Sequence, residues 1–243
     1  MTGKIYSLAI ETAVEAGSLA LYRDGEPVDG LVGAGVVSRS ADALSEIKKI
    51  LEKNGAAANQ IKSISVSSGP GSFTGIRIGA ATAQGLCRAL GCDLSARSVL
   101  KAMILRAFTE ADENRFENEN QNVYGCKILT AIPFGKSGIC LQKFLIGGDR
   151  QIIHAHKPET PLREDFADSL KNADCERIIM HESLYRELSE SRQSGDFDRV
   201  KILNAGYNLA FLIGGKQLQD ANQKGNREQK ISPIYVRNAE LQK

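Results

Sequence analysis

The sequence is short of the features that announce most chemistries. It has three histidines, His154, His156 and His181, and five scattered cysteines, Cys87, Cys92, Cys126, Cys140 and Cys175, with no Cys-x-x-Cys pair. His154 and His156 fall on one side of a predicted strand with no third ligand close by, which makes solvent-facing or structural roles the expectation and no metal site. An odd, widely spaced cysteine set suits reduced thiols better than a disulfide framework. No P-loop is present: Gly135-Lys136-Ser137 has Thr130 where the first glycine belongs, and a strand follows where a helix is required. No Gly-x-Ser-x-Gly elbow raises a nucleophilic serine. No apolar run is long enough to span a bilayer. No basic run marks a nucleic-acid surface, and a formal net charge of +2 argues neither way. Met1-Thr2-Gly3-Lys4 leads straight into a strand pattern, so no signal peptide is expected, and the chain is expected in the cytoplasm.

What is present is globular. The 243 residues are 42% hydrophobic and 25% charged, enough for one large domain or two of ordinary size with a true core. Alternation predicts strands at 5–10, 18–22 and 27–33, with Asp24-Gly25 as a hairpin turn. Helical spacing follows over 40–53, where Leu44, Ile47 and Leu51 share a face. A strand at 61–66, a helix at 74–90, a strand at 92–96 and a helix at 98–108 complete a first half. Residues 109–122 are polar and acidic and read as a solvated linker. The order then repeats: strands near 123–132, 138–145 and 151–155, then helices at 162–171, 183–190 and 206–222 alternating with strands at 177–180 and 199–203. Each half reads βββαβαβα. The fold class is therefore α/β, two lobes each with a mixed five-stranded sheet flanked by helices. The lobes are expected at 1–108 and 123–243.

The most informative stretch is Ser68-Gly69-Pro70-Gly71-Ser72-Phe73-Thr74-Gly75, between a strand and a helix. Proline fixes φ and the flanking glycines allow φ > 0, so a tight turn is predicted, with Ser72 or Thr74 capping the helix. Such a turn either binds phosphate through free N–H groups or is a plain connection without a ligand. The helix carries Gly75, Gly79 and Ala83 at i, i+4 and i+8, on one face. Glycine costs a helix about 1 kcal/mol relative to alanine, so another backbone is expected close by. It belongs to a partner's helix or to this chain's own sheet.

The repeated βββαβαβα unit resembles the actin-like ATPase and sugar-kinase superfamily. Within it, Ser68 to Gly79, continuing through Ala80-Ala81-Thr82-Ala83-Gln84-Gly85-Leu86, resembles the signature of the TsaB (YeaZ) family. Leu8-Ala9-Ile10-Glu11-Thr12-Ala13 is similar to that family's opening strand and loop. Ser232-Pro233-Ile234-Tyr235-Val236-Arg237-Asn238-Ala239-Glu240 is similar to its C-terminal tail. The resemblance implies a non-catalytic subunit in the synthesis of threonylcarbamoyladenosine in tRNA. Its implied partners are the catalytic paralogue TsaD and the P-loop ATPase TsaE, with tRNA engaged only indirectly. Without the paralogue, an exposed apolar helix face seeks cover, and self-association as a two-fold dimer is expected. It further implies that helices 40–53 and 74–90 pack against the paralogue, through Leu44, Ile47, Gly75, Gly79, Ala83 and Leu86.

The superfamily also raises a nucleotide-dependent alternative, a phosphotransferase or hydrolase. Its metal would be held by an aspartate in the first hairpin region of each lobe, because Mg²⁺ takes hard oxygen ligands. Here Glu11 stands in the first lobe, and the second offers Ala131-Ile132-Pro133-Phe134, without the acid and without the family's Asp-Ala-Arg. Glu11, Thr12, Gly69 and Gly71 are the candidate nucleotide contacts, with ATP or ADP and Mg²⁺ at the interface of the complex. Glu11 could equally bond backbone N–H groups of its own loop. The catalytic paralogue carries two histidines on its first lobe-one helix, whereas Val37-Ser38-Arg39-Ser40-Ala41-Asp42 has none. The expectation is an accessory subunit with no cofactor and no metal.

Overall fold

The computed structural model describes residues 4–33, 40–108, 125–147, 150–190 and 200–215. The expected linker 109–122, the tail at 232–240 and the end of the helix expected over 206–222 lie outside them. The described residues divide into two compact units, 4–99 with 207–215, and 100–206.

The first unit is built on β1 (Tyr6–Glu11), β2 (Ser18–Arg23), β3 (Glu26–Val32), β4 (Ile61–Ser67) and β5 (Asp93–Arg97), in the order β3-β2-β1-β4-β5. β1 is central and nearly all of it is buried, as suits a strand covered on both faces. It pairs antiparallel with β2 and parallel with β4, Leu8 facing Leu21 and Ile64. Asp24 (φ 54°) and Gly25 (φ 91°) turn β2 into β3, the left-handed pair that a two-residue hairpin needs. Helices α1 (Ser40–Lys53) and α2 (Phe73–Leu90) pack on the sheet. Ala43, Ile47, Ile50 and Leu51 of α1 are buried at helical spacing. Ser72 caps α2, its hydroxyl accepting from the Gly75 N–H at 3.1 Å, and Gly91 closes it in the left-handed conformation. The core joins Tyr6, Leu8, Leu19, Leu21, Ile64 and Ala83 with their neighbours.

The second unit repeats the plan. β6 (Cys126–Phe134), β7 (Gly138–Ile146), β8 (Ile152–Ala155), β9 (Arg177–Met180) and β10 (Lys201–Asn204) lie in the order β10-β9-β6-β7-β8. This is the same arrangement as in the first sheet. The segment Gly135-Lys136-Ser137 is the hairpin turn between β6 and β7, with Gly135 at φ 65°. Phe166 and Leu170 of α4 (Phe166–Lys171), with Leu184 and Leu188 of α5 (Glu182–Glu190), join Leu129, Ala131, Ile139, Leu141, Ile178 and Met180 in one core. The mixed sheet expected of an actin-like lobe is thus present twice.

The ends of the repeats fall elsewhere than expected. Residues 98–108 form α3 (Val99–Met103) and a 3-10 turn at Ile104–Phe108. That turn packs on β9 and β10, with Arg177 donating to the Ala107 carbonyl at 2.7 Å. The last described helix, α6 (Ala210–Gly214), packs on β1, β2 and β4 of the first sheet. A division with everything after 123 in the second lobe is therefore corrected: 207–215 belongs to the first unit and 100–108 to the second. The side chains explain it. A Cβ on Gly214 would meet the Tyr22 ring at 2.3 Å, and one on Gly30 would meet the Phe211 ring at 2.5 Å.

Arg97 fixes the end of α6, donating to the carbonyls of Ile213 (2.9 Å) and Gly215 (2.6 Å). Arg97→Met keeps the aliphatic stem but leaves both acceptors without this donor. Hydrogen bonds to a charged group are each worth roughly 1.5–3 kcal/mol. We expect a loss of about 3 kcal/mol or more, read from urea unfolding; a wild-type midpoint would show that α6 is held by packing alone.

Candidate interaction surface

The β1–β2 loop and the glycine turn form one hydrogen-bonded assembly. The Glu11 carboxylate points into its own loop, where Oε1 accepts from the N–H groups of Ala13 (2.6 Å) and Val14 (3.0 Å) and from the Ser67 hydroxyl (3.5 Å). Burial pushes its pKa up to about 7, while the three donors pull the other way. Of the two roles open to Glu11, the one observed is organising the loop. Thr12 follows and donates from Oγ1 to the Gly75 carbonyl at 2.7 Å. The Ala13 carbonyl accepts from the Ser72 N–H at 2.7 Å.

This crossing explains the glycines. A Cβ on Gly71, which sits at φ +150°, would lie 2.2 Å from the Ala13 carbonyl oxygen. One on Gly75 would lie 1.9 Å from the Thr12 carbonyl oxygen, and one on Gly79 2.3 Å from Thr12 Oγ1. Gly69, at φ +94°, offers its carbonyl to the Val99 N–H at 3.0 Å. The four candidate nucleotide contacts, Glu11, Thr12, Gly69 and Gly71, are thus brought together, and the contacts described are to their own chain. Two donors at the start of α2, the N–H groups of Ser72 and Gly75, are likewise engaged by Ala13 and by the Ser72 hydroxyl.

The expected partner contacts must be corrected accordingly. Gly75, Gly79 and Ala83 are buried: Gly75 accommodates the backbone of Thr12, Gly79 its hydroxyl, and Ala83 lies in the core of the first unit, so the close neighbours belong to this chain and not to a partner's helix. Ile47 is buried in the same core, and Leu86 is half-buried against it. Of the six residues, Leu44 on α1 is the exposed one, at 49%.

The outward face of α2 lies elsewhere and sequence reasoning missed it. Phe73 (49% exposed), Thr74, Arg77, Ala81, Gln84, Gly85, Arg88 and Ala89 face solvent. Ala81, Gly85 and Ala89 repeat the i, i+4, i+8 pattern of small residues two positions out of phase with the last buried one. Their flanks distinguish the two stripes. Ile76 and Cys87 flank the buried stripe, whereas Arg77, Gln84 and Arg88 flank the exposed one. The Arg77 guanidinium lies 3.9 Å from the centre of the Phe73 ring, a cation–π contact that orders the surface of the first turns. Among the described residues, nothing beyond the helix's own adjacent backbone comes within 4 Å of a Cβ built on Gly85.

Elsewhere, His181 is buried and its Nδ1 lies 2.9 Å from the Ser183 hydroxyl and accepts from the Ser183 N–H, at the start of α5. His154 on β8 and His156 just after it are exposed, their rings edge to face, 4.6 Å apart. Among the described residues, no three His, Cys, Asp or Glu side chains gather to hold a metal ion, and no helix is long and apolar enough to cross a membrane. Ala131, Ile132 and Phe134 are buried within β6.

Comparison with known proteins agrees with this architecture. The family model described as TsaD, tRNA N6-adenosine threonylcarbamoyltransferase, matches residues 37–117. The tRNA threonylcarbamoyladenosine biosynthesis protein TsaB of Haemophilus influenzae is 39% identical over 240 residues, covering 95% of this chain and 93% of that protein. TsaB of Escherichia coli is 41% identical over 87 residues, 36% of each chain. The solved structure of YeaZ from Pseudomonas aeruginosa superposes with a TM-score of 0.56 at 19% identity, covering 86% of this chain and 90% of that one. A second Pseudomonas aeruginosa structure, described as similar to peptidase YEAZ, gives 0.55 at 20% identity, covering 86% and 89%. At these identities the two structures speak for the fold alone.

Proposed function

We propose, because this chain belongs to the TsaB (YeaZ) family of tRNA threonylcarbamoyladenosine biosynthesis proteins, that it acts by docking and not by chemistry. It is the accessory subunit that binds and stabilises a catalytic paralogue of the TsaD type. In this reading the threonylcarbamoyl transfer belongs to the paralogue, a TsaE-type ATPase joins the pair, tRNA meets this subunit only indirectly, and the assembly works in the cytoplasm.

The observation that carries the proposal is Gly85. A glycine in a helix interior costs about 1 kcal/mol relative to alanine, and at Gly75 the approach of Thr12 accounts for it. At Gly85 no atom of the described residues comes near the missing Cβ beyond the helix's own adjacent backbone, so the notch serves a surface that another molecule approaches. The match of the TsaD family model to 37–117 supports a paralogous partner, because those residues contain α1 and α2. Two related helix pairs can meet face to face about a pseudo-two-fold axis, as identical ones do in an isologous dimer.

Gly85→Arg tests this directly. None of the described residues stands where the side chain enters, so the unfolding midpoint should hold or rise. Affinity for the TsaD-type subunit, measured by calorimetry on the purified pair, should fall at least tenfold, because overfilling a close helix contact forces the helices apart. Unchanged affinity would overturn the docking role of this face. Weakened self-association without any paralogue binding would assign the face to a homodimer.

A further inference from the structure

The end of α2 holds a pair of thiols that the docking role does not use. Cys87 is in the last turns of the helix. Gly91, at φ 64° and ψ 37°, reverses the chain, and its N–H and that of Cys92 both donate to the Cys87 carbonyl. The reversal carries Cys92 back over the helix end and sets its Sγ 3.0 Å from Cys87 Sγ. Both are free thiols. The Cys92 S–H donates to the Cys87 sulfur, and the Cys87 S–H donates to the Asp93 carbonyl at 3.4 Å. The pair is graded in access, Cys92 half-buried and Cys87 buried in the core beneath it. The remaining cysteines, Cys126, Cys140 and Cys175, belong to the second unit.

We propose that Cys87 and Cys92 form an oxidisable dithiol site whose co-substrate is a low-molecular-weight disulfide of the glutathione class. Cys92, the accessible sulfur, loses its proton to solvent and attacks one sulfur of the reagent. The reagent's S–S bond breaks, one thiolate leaves and takes up a proton, and Cys92 carries the other half as a mixed disulfide. Cys87 then releases its proton and attacks Cys92 Sγ, expelling the second thiol. The protein loses two protons and two electrons, and the reagent's disulfide is reduced to two thiols. Burial pushes the Cys87 thiol up to about 12, so little thiolate exists at neutral pH and this second step is the slow one. Proximity offsets that, since a nucleophile held against its target reacts at a very high effective concentration. The product ties the last turn of α2 to the start of β5. The loop it closes is only a few residues long, so its effect on global stability is small.

Incubating the full chain with oxidised glutathione, alkylating residual thiols and mapping peptides by mass spectrometry tests the site. The expected result is a Cys87–Cys92 crosslinked peptide free of glutathione, reversed by dithiothreitol and formed faster as pH rises. Cys87→Ser should leave one glutathione on Cys92, and Cys92→Ser should leave Cys87 unmodified. Phenylarsine oxide, which bridges neighbouring thiols, should bind one per chain and be lost in either variant. Glutathione that stays on wild-type Cys92 without conversion, or reaction confined to Cys126 and Cys175, overturns the proposal.

Discussion

Gly75→Ala is expected to destabilise the first unit by about 3 kcal/mol or more, a size reserved for a few named mechanisms. Helix propensity alone predicts the opposite, a gain of about 1 kcal/mol. Packing decides the sign. The new methyl would sit 1.9 Å from the Thr12 carbonyl oxygen, which is backbone. Relief requires moving the β1–β2 loop, and with it the Thr12 bond to Gly75 and the Glu11 bonds to Ala13 and Val14. Gly79→Ala meets the Thr12 hydroxyl at 2.3 Å, a side-chain atom that can rotate away, so its cost should be smaller. Gly85→Ala meets none of the described residues and should stabilise by up to about 1 kcal/mol. Urea unfolding of the three variants should rank them in that order. A wild-type midpoint for Gly75→Ala would refute the close crossing of loop and helix.

Glu11→Gln is expected to make the protein more stable at pH 8 and no more stable at pH 4. The folded pKa of Glu11 is raised by burial from 4.5 to about 7. Below 4.5 the carboxyl is protonated in both states. Between 4.5 and 7 the unfolded chain releases the proton while the folded chain keeps it, so stability falls as pH rises; above 7 both are ionised and the fall stops. A shift of this size corresponds to roughly 3 kcal/mol. Glutamine keeps an oxygen for the Ala13 and Val14 donors and carries no charge to desolvate. The difference in unfolding free energy between variant and wild type, followed from pH 4 to pH 8, isolates this one group. A flat difference would mean that Glu11 ionises normally in the folded loop.

Much of this was legible in the residues. Asp24-Gly25 and Ser72 are local signals, and each sits where its turn or cap chemistry places it. The order of strands and helices along the chain followed from periodicity, though not which unit the last helix of each repeat joins. What periodicity cannot give is the partner of a face. Gly75, Gly79 and Ala83 announced a close approach, but only the fold says that Thr12 makes it at Gly75 and Gly79, the first across a sequence separation of 63 residues. The charged flanks of Ala81, Gly85 and Ala89 were the available clue to the outward face. The packing of α6 on β1 was hidden for the same reason. Its marks are Gly30 and Gly214, two glycines that look like punctuation until the Phe211 and Tyr22 rings are set against them.

The placement of α6 has a consequence for biogenesis. Chains are made from the N-terminus at roughly 5–20 residues per second. Residues 207–215 leave the ribosome well after β1–β5 have emerged, so Ala9 and Tyr22 must wait for their cover. Over that interval the nascent first lobe shows an apolar sheet face of the kind that chaperones bind and that aggregates nucleate on. A nonsense codon anywhere between 108 and 207 would therefore release a product whose first sheet is never closed, however intact its own strands.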